Sequence, residues 1–229
     1  GNGNDASQAT SANRPKIYDG ITGVVLENGK PAVDMIDTSD FLDANLSLTQ
    51  PCTIVSVNKA EYTGAYSLIS RGGIPGIWYG YLNNGNYGVY AGSWLTASGS
   101  ANQRLDAFVI DGSSTELYQN SSLLTSGNAG TANSTGNDIG NNNTNQNFTG
   151  TIQELIFYNS DQSSNRTNIE DNIGGYYDIP LAGLLDENPG AAAAYSLRRL
   201  SSTYTGSAIQ VQRADNIGGT TDIGFDGYG

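Results

Sequence analysis

Short apolar runs, most of them alternating with polar residues and separated by Gly, Asn, Asp and Ser clusters, recur from residue 16 to residue 158. Alternation with period two sends successive side chains to opposite faces of a strand, and the breaks hold the residues that tight turns require. The pattern predicts strands at 23–27, 32–36, 53–58, 66–70, 76–81, 87–90, 104–111, 114–119 and 151–158. Asp111-Gly112, lying between Phe108-Val109-Ile110 and Glu116-Leu117-Tyr118, is the clearest hairpin signal. Only 163–176 predicts a helix, with Ser163 or Ser164 to cap it, Ile169 and Ile173 four apart, and Gly174-Gly175 to end it. Many short strands with one short helix point to an all-β sandwich or barrel.

Around this block the pattern changes. Residues 1–15 are polar and read as an irregular lead-in, and 16–179 hold the sandwich. Within it, 126–147 (SGNAGTANSTGNDIGNNNTNQN) is too poor in apolar side chains to offset its own ordering entropy, so a long surface loop is expected, interrupted at most by a short strand at 138–140. Residues 180–192, with Pro180, Pro189-Gly190 and four consecutive Ala, read as a linker. A fresh β pattern fills 193–229, in which Ile209 and Val211 alternate with polar neighbours.

Composition narrows the chemistry. The 229 residues contain no His and one Cys, which removes imidazole-based catalysis, an intrachain disulfide and a cysteine-rich zinc site. A net charge of −12 opposes nucleic acid as a partner, because neutralising phosphates takes clustered Lys and Arg. No apolar run approaches the roughly 20 residues of a membrane-spanning helix, so no membrane insertion is expected.

The stretch Asn147-Phe-Thr-Gly-Thr-Ile-Gln-Glu-Leu-Ile-Phe-Tyr-Asn159, followed by Ser163-Ser-Asn-Arg-Thr167, resembles the closing strand and short helix of laminin-G-like domains in the concanavalin A-like lectin/glucanase superfamily. The hairpin around Asp111-Gly112 and the segment Asn28-Gly-Lys-Pro-Ala-Val-Asp34 are similar to that superfamily's central hairpin and early core strand. The resemblance implies a two-sheet jelly-roll sandwich and leaves the ligand open. A second resemblance covers 191–213 and 222–225, which look like the opening of a module of marine phage structural and tail-fibre-type proteins, itself similar to the start of arabinofuranosidase B-type domains. Residues 1–5 (GNGND) look like a later part of the same module, so the order is out of phase. A window from a tandem protein and a permuted module both fit that order.

These resemblances imply a non-enzymatic structural or adhesive module of a virion surface or other extracellular setting, partnered by copies of itself or other virion proteins. The alternative is a carbohydrate-binding module for a host or algal polysaccharide. A glycosidase is the least supported reading: the three-acid ExDxE strand of the glucanase branch is missing. Glu154, expected on the face of Ile152, Ile156 and Tyr158, reads as a framework carboxylate. Glycan contacts would come from Trp78, Tyr79, Tyr81, Tyr87, Tyr90 and Trp94, since flat aromatic faces beside amide groups suit sugars. Alternation must separate Trp78 from Tyr79, and a sandwich core will itself absorb about half of these six rings. No cofactor is required. A structural Ca2+ is the credible ion, as the lectin resemblance implies, with Asp37, Asp40, Asp43 and Asp138 as oxygen ligands; a solvated acidic loop explains the same spacing.

Overall fold

The computed structural model describes residues 5–35, 39–61, 67–73, 76–82, 85–140 and 147–182, and the backbone of 195–198, 209–213 and 220–223. The chain divides into two compact units, Gly1–Pro180 and Leu181–Gly229. In chain order the first unit contains β1 (Ala6–Ser7), β2 (Leu26–Glu27), β3 (Lys30–Pro31), β4 (Val33–Met35), β5 (Leu42–Leu48), β6 (Cys52–Ala60), β7 (Ser67–Gly72) and β8 (Trp78–Tyr81). It continues through β9 (Asn86–Tyr90), β10 (Trp94–Ser98), β11 (Arg104–Ile110), β12 (Thr115–Gln119), β13 (Ser122–Gly127), β14 (Ser134–Ile139), β15 (Gly150–Tyr158) and helix α1 (Arg166–Tyr177).

Two large antiparallel sheets result, a seven-stranded one ordered β1-β5-β14-β7-β8-β9-β10 and a six-stranded one ordered β13-β12-β11-β6-β15-β4, with β2 and β3 paired as a separate two-stranded ribbon. Alternate residues of both meet in one core: Leu48, Ile69, Tyr79 and Val89 from the first sheet, Ile54, Phe108, Leu117 and Ile152 from the second. Tyr79 and Phe108 rings sit 5.1 Å apart across that interior. Cys52 is buried there as a free thiol. The first unit is therefore the all-β two-sheet sandwich with one short helix that the alternation predicts. The hairpin predicted at Asp111-Gly112 joins β11 to β12, with Phe108 opposite Leu117 and Val109 opposite Glu116.

Four local expectations change. The low-complexity stretch contains β14, an interior strand paired with β5 on one side and β7 on the other. Its neighbours supply what its own side chains lack: Asn137 Nδ2 donates to Ser70 Oγ at 3.3 Å and Ser134 Oγ to Asn137 Oδ1 at 2.7 Å, all buried. Gln50 secures the approach to β14, its Nε2 donating to the Gly130 and Ala132 carbonyls at 3.2 and 2.7 Å. Residues 141–146 of the stretch lie outside the described residues. Strand β5, Leu-Asp-Ala-Asn-Leu-Ser-Leu, occupies part of what reads as an acidic loop; Ala44 and Leu48 point inward and Asp43, Asn45 and Ser47 outward.

The helix begins later than the serines suggest, with Asn165 as N-cap and no side-chain cap bond. It continues through Gly174-Gly175 because Ile173 and Tyr177 are buried and the Tyr177 hydroxyl donates to the Gln153 carbonyl at 3.0 Å. Left-handed Asp178, at φ 55°, then ends it. In β15 a register shift between Ile152 and Glu154 parts the face expected to be continuous. Ile152 packs in the core, whereas Glu154 lies beside the Tyr177 hydroxyl.

Helix α1 packs against β11, all seven of whose residues are buried. Arg166 stacks over the Tyr118 ring at 3.6 Å and pairs with Glu170. The 1–15 lead-in is part of the first unit: β1 pairs with β5, and Asn13 accepts from the Phe41 amide at 3.2 Å. In the second unit β16 (Tyr195–Arg198), β17 (Ile209–Arg213) and β18 (Thr220–Ile223) form an antiparallel sheet in that order, with Leu197 opposite Val211 and Ile209 opposite Ile223.

Candidate functional site

Strands β8, β9 and β10 sort the six aromatic candidates by alternation. Tyr79, Tyr81 and Tyr87 point into the sandwich and are 0%, 2% and 0% exposed. This corrects their assignment as sugar contacts: a ring sealed in the core has no face to offer a ligand. Trp78, Tyr90 and Trp94 take the outward positions, directly opposite one another across the three strands. Trp78 and Tyr90 stack with ring centroids 4.6 Å apart and planes 25° from parallel, and Trp94 closes on Tyr90 at 5.4 Å. The indole Nε1 of Trp78 donates to the Gly72 carbonyl at 2.9 Å, which fixes that ring's rotation. Arg71 lies over the other end of the row, its Cζ 5.0 Å from the Trp78 ring, a separation typical of a cation–π contact.

Two residues along each strand, the outward row is Gly80, Gly88 and Thr96. Gly80 and Gly88 are buried in this row and Thr96 is half-buried. A Cβ on Gly88 would come within 2.3 Å of the Leu95 carbonyl oxygen, so the close approach of β9 to β10 requires glycine at this position. Asn86 and Ser98 lie one outward row further on.

Facing the inner side of these strands, from β6, β11 and β12 of the other sheet, is a polar network embedded in the core. Arg104 and Asp106 are completely buried, with Nε and Oδ2 3.0 Å apart. Asp106 also accepts from Tyr87 Oη at 2.7 Å, Asn58 Nδ2 at 2.8 Å and Gln119 Nε2 at 3.3 Å. The Arg104 guanidinium lies over the Tyr81 and Tyr87 rings at 4.7 and 4.9 Å. Tyr81 donates to the Ser100 carbonyl. Burial drives the pKa of Tyr79, Tyr81 and Tyr87 far above the ordinary phenol value, so these hydroxyls stay protonated. For Arg104 burial works against the charge, but Asp106 and the surrounding phenols outweigh it and the net shift is upward.

Of the four acidic candidates, Asp37 lies outside the described residues. Asp40 is buried, at 2% exposure. Asp43 and Asp138 are brought together, directly opposite each other on β5 and β14. A Ca2+ ion takes about six to eight oxygen ligands. No group of three or more His, Cys, Asp or Glu side chains converges among the described residues. No described helix is long and apolar enough to cross a membrane.

Cross-strand register supplies what sequence reading missed. Asp138 is opposite Arg71, Arg71 opposite Trp78, and Ser7 opposite Asp43. One outward row therefore runs Ser7, Asp43, Asp138, Arg71, Trp78, Tyr90, Trp94 across all seven strands. In the sequence Arg71 stands before Gly72-Gly73, a pair that signals a turn and no ligand contact. In Tyr79-Gly80-Tyr81 and Tyr87-Gly88-Val89 glycine takes the outward position between inward aromatic or aliphatic residues, and at Gly88 that marks the close approach of β10.

No protein-family model matches the chain, and no curated protein does. Among solved structures it is similar to domain 4 of AbnA, a GH43 extracellular arabinanase from Geobacillus stearothermophilus, in complex with arabinotriose: 18% identity, 68% of this chain and 80% of that one covered, TM-score 0.52. Weaker likenesses are to a Trypanosoma rangeli sialidase in complex with the inhibitor DANA (14% identity, 59% of this chain and 26% of that one, TM-score 0.46) and to a heptameric SAP-like pentraxin from Limulus polyphemus (13% identity, 62% and 76%, TM-score 0.43). At these identities the likeness to the arabinanase domain is one of fold, and it agrees with the two-sheet sandwich.

Proposed function

We propose that the first unit is a non-catalytic carbohydrate-binding module that takes a glycan on the outer face of its seven-stranded sheet, over Trp78, Tyr90 and Trp94. The observation that carries this reading is the half-buried, mutually stacked trio on an outward face. Sugar rings present apolar C–H faces that stack on aromatic planes, while their hydroxyls need polar neighbours, here Asn86, Thr96 and Ser98. The fold-level likeness to an arabinanase domain in complex with arabinotriose supports the choice of ligand class. A panel of immobilised neutral polysaccharides, among them arabinan, xylan, galactan and β-glucan, tests it. Retention on at least one, abolished by Trp78→Ala with Trp94→Ala and kept by Tyr87→Phe, is expected; a blank panel, or retention indifferent to both tryptophans, removes the reading.

We also propose that such a module is displayed on a virion or another extracellular surface beside copies of itself. The support is the resemblance of 191–213 and 222–225 to phage structural modules. Mass spectrometry of purified particles from the source that lacked this chain would remove the virion part.

A further inference from the structure

Resting on the carbohydrate-binding reading, we infer that the site extends past the aromatic trio along the whole outward row and takes an extended, uncharged polysaccharide chain lying across the strands. Three observations carry the extension. First, the register is continuous: Trp94, Tyr90, Trp78, Arg71, Asp138 and Asp43 are successive cross-strand partners on one face. At about 4.8 Å per strand the trio spans roughly 10 Å and the row from Trp94 to Asp43 roughly 24 Å. The strand spacing is close to the advance of one sugar unit along an extended chain, so each strand offers one rung to one unit.

Second, the row reaches from β10 at one edge of the sheet to Ser7 on β1 at the other. A chain can therefore lie along it without presenting a terminus, and the rungs read internal units.

Third, the chemistry changes along the row. The aromatic half recognises ring faces. In the other half, half-buried Arg71 packs its guanidinium on Trp78, with Nε buried and without a hydrogen-bond partner among the described residues, and Asp43 is exposed. Ionised carboxylates only accept hydrogen bonds and guanidinium only donates, which matches sugar hydroxyls that do both. Two Asp to one Arg in the row, on a chain of net charge −12, disfavour sulfated or uronate polymers through repulsion.

The test uses the full chain and oligosaccharides, from disaccharide to octasaccharide, cut from whichever neutral polysaccharide the panel retains, with polygalacturonate and carrageenan as anionic probes. Isothermal titration is expected to show affinity rising about tenfold or more from trisaccharide to hexasaccharide, since hydrogen bonds to charged groups are worth that much. Asp43→Ala with Asp138→Ala should erase this gain and leave trisaccharide affinity unchanged; Ser47→Ala, off the row on β5, should do neither. Affinity flat beyond the trisaccharide, or the gain surviving in the double variant, overturns the extended track and leaves the trio as the site. Tighter binding of the anionic probes, weakening with salt, overturns the uncharged class. A panel that retains no neutral polysaccharide overturns the carbohydrate reading itself and this inference with it.

Discussion

Strands β8, β9 and β10 carry two sets of three aromatic rings back to back, separated by the thickness of one sheet. Trp78, Tyr90 and Trp94 lean on one another on the outer face, while Tyr79, Tyr81 and Tyr87 are sealed beneath them. Within the inner set Tyr87 is tied to an ion pair by a hydrogen bond, Tyr81 and Tyr87 by ring contacts, and Tyr79 packs on Phe108. The outer set is tied chiefly to itself and to Arg71. Aromatic content along these strands therefore has two unrelated causes, and strand parity alone separates them. The inner rings give the core polar specificity as well as bulk, and the outer rings leave apolar area where water or a ligand can reach it.

Substitutions that break one side and spare the other sharpen this contrast. Arg104→Met strands the Asp106 charge in the core and should lower unfolding free energy by about 3–5 kcal/mol in urea titrations, whereas the double change with Asp106→Leu should cost less than either alone. Tyr87→Phe removes one donor to the same carboxylate and should cost about 1.5–3 kcal/mol, with glycan affinity unchanged. Trp78→Ala should reverse the pattern: about 2 kcal/mol lost from binding, or roughly 30-fold, by titration calorimetry, against about 1 kcal/mol or less in stability.

A gentler probe is alkaline titration. Burial pushes the pKa of Tyr118 and Tyr177 up to about 12 from the ordinary 10, and the inner-face tyrosines are shifted in the same direction. The fold thus holds protons that the unfolded chain releases, so stability should be full below pH 10 and fall progressively as pH rises towards 12. Near-ultraviolet circular dichroism against phenolate absorbance checks the sign; a fold that gains stability over that range contradicts it.

Where side chains carried the signal, the strands were plain in the chain. Thr53-Ile54-Val55-Ser56-Val57 and Phe108-Val109-Ile110 are β-branched or aromatic runs whose identity as strands follows from composition and spacing. Ser134-Thr-Gly-Asn-Asp-Ile139 is the opposite case. Its order comes from backbone pairing on both flanks and from Ser70 and Gln50, residues 64 or more positions away in the chain for the first and 80 or more for the nearest Gln50 contacts. The same holds for the site. Alternation separates Trp78 from Tyr79 in any reading of the sequence, but which parity faces the core depends on the second sheet. The neighbours of Arg71 likewise come from strands remote in sequence, and no local pattern announces them.

Gly136 gives the outward row an unusual dependence on chain length. Thr135 and Asn137 flank a shift in the pairing with β5, and Gly136 between them adopts φ +63°, after which Asn137 turns inward and Asp138 outward. A comparable shift between Leu68 and Ser70 precedes Arg71. Each irregularity acts as a half-step in the alternation, so the chain carries its charges to the surface by counting residues as much as by choosing them. Loss of residue 136 would keep Asn137 inward and Asp138 outward, but a ladder continuing regularly from Thr135 and Ser47 would set Asp138 opposite Asn45 in place of Asp43 and break the row, whereas length changes beyond the strand ends leave that register untouched. Among descendants of this sequence, variation in length should accordingly accumulate between strands and be rare at these two half-steps.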